Sequence, residues 1–198
     1  MSYTIHPLKG FPLDQISALA SLHLEDHGLL SQLGYPFVLR YFERALKDES
    51  TIGVYALDGE KLIGYNLAHP RPDSLISKLT EERGWFIKNI FKVIFTRPSA
   101  FVQLLVSSLS IKTQMQNEAD AVESIYLTIH ADYRGQKVGR TLQQALFDEA
   151  RKAGYKRIVG SVEIWNEASL RMCQSNGFVI IKTFREGKFT RHRIEKIL

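Results

Sequence analysis

Arg134, Lys137 and Arg140 recur every third residue through a turn that also holds Gly135 and Gly139. Cations attract an anion, and glycine lets the backbone approach it closely, so residue types and spacing together describe an anion site. The flanking segments would position it. Before the turn, Ile125, Leu127 and Ile129 alternate with Tyr126, Thr128 and His130, which predicts a β-strand. After it, from Gly139, Leu142, Ala145, Leu146 and Ala150 share one helical face while Gln143, Asp148 and Lys152 lie elsewhere. The first amides of such a helix lack internal partners, and the helix dipole adds partial positive charge there. A phosphorylated ligand is the expected occupant. Two common phosphate motifs do not fit: no Gly-Lys-Ser/Thr closes the turn as in a P-loop, and the three glycines of a dinucleotide fingerprint are missing.

The turn resembles the pyrophosphate-binding turn of the GNAT acetyltransferases, Arg/Gln-x-x-Gly-x-Gly/Ala, read here as Arg134-x-x-Lys137-x-Gly139 with Lys137 at the first glycine position. Downstream, the strand-like Lys156–Glu163, then Asn166, a short helical stretch and Gly177-Phe178 follow in the same family's order. The resemblance covers Ala121–Phe184 closely and Leu13–Ala68 loosely. It implies an α/β fold with a mixed, mostly antiparallel central sheet flanked by helices, and acetyl-CoA as co-substrate. It further implies that the backbone of Leu127 and Ile129 pairs with the pantetheine arm at a splay in the sheet. Arg134 and the amides of Gly135, Gln136, Lys137, Val138, Gly139 and Arg140 would hold the pyrophosphate. Asn166 would contact the cofactor arm, a role compatible with capping the helix that follows.

An acetyltransferase must also deprotonate its amine and protonate the departing thiolate. Glu123 lies eleven residues before Arg134, the offset at which the histone-modifying branch of the family carries its catalytic glutamate. Glu123 is therefore the candidate base, with Glu163 and a water relay as alternatives. The family's usual tyrosine, seven residues after the asparagine, is replaced by Cys173, a candidate acid whose bland alternative is a small buried hydrophobe. Tyr126 or water could take its place. His23, Asp26 and His27 fall where the family builds its acceptor pocket, with His23 also readable as a core residue. No compact metal-ligand spacing accompanies them, so no metal is expected.

The rest of the chain sets limits. Its 198 residues suit one domain, here taken as 1–198, and a net charge of +5 favours anionic ligands or surfaces. One cysteine excludes a disulfide framework, and MSYTIHPLKGFP lacks an apolar signal core, so a cytoplasmic location is expected. A strand at Tyr3–Pro7, a helix capped by Asp14 and running to Glu25, a loop through LLSQLGYP, a helix from Pro36, and a hairpin across Asp58-Gly59 are the predicted elements of the first half. Residues 70–120 form an unusually long connection, read as a helical insertion with helices at Ser74–Arg83, Trp85–Phe95 and Pro98–Leu109, then a polar linker from Thr113. This insertion is expected to pack as a cap or a dimer contact, or else to lie on anionic lipid. A strand following Phe178 (VIIKTF), a turn at Arg185–Lys188 and a last strand at Phe189–Leu198 complete the sheet.

The leading expectation is an N-acetyltransferase acting on a small amine such as an amino sugar or polyamine, in a ternary complex. A non-catalytic CoA-binding sensor and a peripheral membrane acyltransferase are the alternatives. Nucleic acid is not an expected partner, for no basic helix interleaved with stacking aromatics is present.

Overall fold

Seven segments take up extended backbone: Thr4–Pro7 (β1), Ile52–Asp58 (β2), Lys61–His69 (β3), Ala121–Ile129 (β4), Arg157–Glu163 (β5), Val179–Glu186 (β6) and Phe189–Ile197 (β7). They form one sheet in the order β1-β2-β3-β4-β5-β7-β6. Every pairing is antiparallel except β4 with β5. This is a computed structural model, and it describes residues 2–26, 28–99, 101, 102, 104, 120–187 and 189–198. The mixed, mostly antiparallel sheet is the one expected.

Helices among the described residues are Ile16–His23 (α1), Leu29–Leu33 (α2), Tyr35–Lys47 (α3), Pro72–Thr80 (α4), Arg83–Thr96 (α5), Val138–Lys152 (α6) and Glu167–Ser175 (α7). Two expectations need correction. Asp14 does not cap α1: it lies in a short 3-10 turn, Leu13–Gln15, and Gln15 precedes the helix. The segment LLSQL, read as loop, forms α2, because Leu30 and Leu33 bury themselves in the core one turn apart. Of the long connection, α4 and α5 carry the first two expected helices, and residues 98, 99, 101, 102 and 104 are helical. The remainder of the third expected helix, the linker residues 113–119 and His27 lie outside the described residues.

Two apolar clusters sit on opposite faces of the sheet. One joins α1 to α5 with Tyr65 and Leu67 of β3, and includes Leu19, Phe37, Phe42 and Leu75, each no more than 1% exposed. The other joins α6 and α7 to Val54, Ile63, Val122 and Ile158. Strand β4 lies between them, and its alternation is interrupted. Leu67 pairs with Tyr126 but Ala68 pairs with Ser124, so Ile125 is an extra residue. At this β-bulge the face assignment shifts. Ile125 and Tyr126 both pack on the first cluster, while Leu127 and Ile129 turn to the second.

Candidate functional site

The turn after β4 is shaped by backbone conformation. Ala131–Tyr133 make one 3-10 turn, then Gly135 and Lys137 take left-handed φ values of 77° and 64°. Lys137 is the sole non-glycine residue with positive φ among the described residues. The position where the family pattern has glycine thus keeps glycine's conformation, which costs an L residue about 1–2 kcal/mol. Helix α6 starts immediately after it, with no acidic residue in its first turn. Thr141 N–H donates to Lys137 O at 3.1 Å. The amides of Val138, Gly139 and Arg140 come before that bond and have no intrahelical acceptor.

Gly139 has a second reason for lacking a side chain. A Cβ there would sit 3.0 Å from Met172 Sδ of α7 and 3.7 Å from Ile129 Cγ1. Val138 is 1% exposed and anchors the helix start, whereas Lys137 and Arg140 are exposed. Gln136 bridges the turn internally, its Nε2 donating to Asp132 O at 2.7 Å. Arg134 does something else: its Nε donates to Ile129 O at 3.0 Å and its Nη2 lies 3.6 Å from Glu25 Oε2. This arginine pins the end of β4 to the end of α1.

Beside the turn the sheet opens. β4 pairs with β3 as far as Ile129, but with β5 only from Ala121 to Ser124, opposite Arg157 to Gly160. Leu127 and Ile129 therefore lie in the stretch of β4 that has parted from β5. Across the opening, Asn166 follows β5 and caps α7, its Oδ1 accepting from Ser169 N at 3.1 Å.

The two candidate catalytic residues fall on opposite faces. Val122 belongs to the α6 cluster, so Glu123 points to the other side. There its carboxylate takes a two-pronged contact from Arg193 of β7, Nη1 to Oε1 at 2.6 Å and Nη2 to Oε2 at 3.0 Å. Arg193 also donates to Ser161 at 3.2 Å. The alternative base, Glu163, accepts from Arg191 at 3.2 Å, and Arg191 also pairs with Glu186 at 2.6 Å. Cys173 is 4% exposed within the α6–α7 cluster and accepts from Gln143 Nε2 at 3.3 Å. Burial pushes its thiol pKa up, with Gln143 and Ser169 opposing. Gln143, expected off the buried face, is 3% exposed and its Oε1 also accepts from Asn176 at 2.6 Å. A helical wheel cannot show that a polar partner waits on α7.

On the Glu123 face, buried polar groups gather that spacing did not reveal. His23 is fully buried, its Nδ1 2.6 Å from Tyr65 Oη, and Thr128 Oγ1 donates to Tyr65 Oη at 3.3 Å. Burial drives the His23 pKa down to about 4, opposed by the Asp26 carboxylate. Tyr126 stands edge-on to His23, ring centres 4.6 Å apart, and its hydroxyl pKa is raised by burial and then by Asp26. His69 is opposite Glu123 in the β3–β4 register and 2% exposed. Its Nε2 lies 3.3 Å from Asp48 Oδ2, and its Nδ1 accepts from Arg71 N at 2.9 Å. Asp48 also pairs with Lys78, and its pKa is about 2, its bonds to Lys78 and Ser50 outweighing burial. A recess of about 310 Å³ lined by Leu24, Asp26, Ser31 and Gln32 opens near the end of α1. Among the described residues no three His, Cys, Asp or Glu side chains are grouped to hold a metal ion.

Comparison with known proteins agrees with the turn's position. Residues 102–178 match the model of the acetyltransferase (GNAT) family. A 57-residue stretch is 44% identical to the L-amino acid N-acyltransferase MnaT of Escherichia coli, covering 29% of this chain and 32% of that protein. The L-methionine sulfoximine/L-methionine sulfone acetyltransferase of Salmonella typhimurium is 39% identical over 57 residues, with the same coverage. The chain thus aligns with about a third of the length of these curated relatives. Solved structures match over nearly the whole chain. The yncA protein of Salmonella typhimurium, solved with its cofactor acetyl-CoA, superposes with a TM-score of 0.63 at 17% identity, covering 100% of this chain and 95% of that one. The PaiA N-acetyltransferase of Thermoplasma acidophilum, solved with coenzyme A, gives 0.62 at 14% identity, covering 100% of both. The ribosomal-protein-S18-alanine N-acetyltransferase of Escherichia coli gives 0.63 at 14% identity, covering 99% and 94%.

Proposed function

Because this chain carries a GNAT acetyltransferase segment on a GNAT fold, we propose that it is an acetyl-CoA-dependent N-acetyltransferase that acetylates the amine of a small molecule. One observation carries the reading. β4 parts from β5 beyond Ser124 immediately before a cationic turn that opens a helix, so a strand-edge slot and an anion site are contiguous. The slot suits a pantetheine arm along Leu127 and Ile129, and the amides of Gly135 to Arg140 suit a pyrophosphate. Lys137 and Arg140 add formal charge, and Arg134 holds the slot's end in place. Asn166 can both cap α7 and meet the arm.

Acetyl-CoA supplies a thioester carbonyl; the amine nitrogen bonds to that carbon, the carbon–sulfur bond breaks, one proton leaves nitrogen and one joins the sulfur. Glu123 is the proposed acceptor of the amine proton. Arg193 occupies one lone pair on each carboxylate oxygen, leaving others for an amine or an intervening water. Glu163 is the second choice, held by Arg191 through a single Nη2 contact. For the sulfur's proton, Cys173 faces inward to Gln143, and burial keeps its thiol protonated; a structural role fits its contacts, and solvent then supplies the proton. The acceptor pocket is proposed on the Glu123 face, between Asp26 and the Arg191–Arg193 stretch of β7. Relatives with amino-acid acceptors place L-amino acids in the acceptor panel beside amino sugars and polyamines.

The test is calorimetric titration of acetyl-CoA and desulfo-CoA into the wild type and Gly139→Glu, followed by that amine panel. Binding by the wild type that the variant loses, with turnover of at least one amine, supports the proposal. Absence of binding overturns it. Binding without any turnover favours a CoA sensor instead.

A further inference from the structure

Helix α5 is apolar on two sides. Trp85 and Phe86 pack against Phe37, with ring centres 5.2 and 6.1 Å away, and Ile90 and Val93 are buried beneath them. The opposite side repeats the pattern in the open. Ile87, Phe91 and Phe95 succeed each other at four-residue intervals and are 51%, 55% and 82% exposed. A second apolar stripe left in the open calls for a partner besides the core.

Charge indicates which partner. Over Arg83–Thr96 the helix has three cations, Arg83, Lys88 and Lys92, and no carboxylate. Lys88 and Lys92 each follow a member of the exposed stripe by one residue, so they rim it, and both are exposed. Among the described residues no ion pair involves any of the three cations, although Glu82 just before the helix pairs with Arg40 and Arg44 of α3. A second copy is a poor match: two such stripes face to face would set lysines against lysines with no acid in either helix to answer them. No helix is long and apolar enough to cross a membrane among the described residues. An aromatic stripe bordered by lysines is instead the pattern of a helix lying in the interface plane of an anionic bilayer.

We propose that α5 docks this protein on anionic membrane surfaces, inserting Phe91 and Phe95 among the lipids while Lys88 and Lys92 meet the headgroups. The docking is independent of the acetyl-transfer reading. Flotation of the full chain with phosphatidylcholine vesicles, with and without phosphatidylglycerol, tests it. Phe91→Ser/Phe95→Ser and Lys88→Glu/Lys92→Glu change exposed positions only, and retained cooperative thermal unfolding shows that each remains folded. The expected result is capture by phosphatidylglycerol vesicles alone, abolished in the phenylalanine pair and weakened about tenfold or more in the lysine pair. Three results overturn the proposal: no capture by either vesicle, capture indifferent to both variants, or a lipid-free dimer that the phenylalanine pair dissolves.

Discussion

The cofactor side and the acceptor side of the candidate site are built in different ways. On the cofactor side, everything from β4 to the first turn of α6 is contiguous in sequence, and recognition would rest on main-chain amides held by local conformation. On the acceptor side, Glu123, Arg193, His69, Asp48, His23, Tyr65 and Thr128 come from α1, β3, β4, β7 and the end of α3. Anion binding by a helix start needs only a short segment in the correct backbone conformation. Proton chemistry needs side chains at defined distances, which a sheet supplies through register.

If that division is right, the largest effect belongs to the local element. Gly139→Glu places a carboxylate among the proposed pyrophosphate amides and a Cβ 3.0 Å from Met172 Sδ. Its acetyl-CoA affinity should fall by a factor of about 100 or more, roughly 3 kcal/mol, in the titration described. An unchanged affinity would break the comparison at its cofactor end.

Glu123→Gln should do the converse, lowering turnover by about 10- to 100-fold while leaving acetyl-CoA affinity intact. Cys173→Ala sharpens the contrast, with turnover expected to stay within about twofold because the thiol's contacts are internal. Steady-state kinetics with the best amine separates the two. Full activity in Glu123→Gln would transfer the base role to Glu163 or solvent.

A third effect comes from acceptor-side burial. The His23 pKa is about 4 when folded, against 6.5 for the ordinary side chain. The unfolded chain therefore binds the proton first as pH falls. The stability present above pH 6.5 is lost as pH falls towards about 4, roughly 2 kcal/mol of it between pH 7 and 5. Urea melts at the two pH values should show that loss, and His23→Phe should flatten the dependence. A wild-type stability that does not fall between pH 7 and 5 would contradict a neutral buried imidazole.

The smallest effect is expected at Lys137. Lys137→Gly relieves a φ of 64° and should raise unfolding free energy by at most about 1 kcal/mol, offset in part by glycine's greater chain entropy. It should also weaken acetyl-CoA binding a few-fold by removing one cation. Stabilisation with tighter binding would mean that Lys137 does not face the anion.

Residue order alone determined the β4–turn–α6 unit, the Asp58-Gly59 hairpin and the helical character of the 72–96 stretch. In each, a period, a turn dipeptide or a glycine acts within a few residues of itself. Register decided the rest. The bulge at Ile125 puts Tyr126 and Thr128 on the His23 face, and nothing in the strand's alternation announces it. Arg193 reaches Glu123 across β5, Asp48 reaches His69 from the end of α3, and Gln143 finds Cys173 on α7. Such pairs lie 70, 21 and 30 positions apart, so only closure of the sheet and packing of its helices bring their charges and hydrogen-bonding groups together.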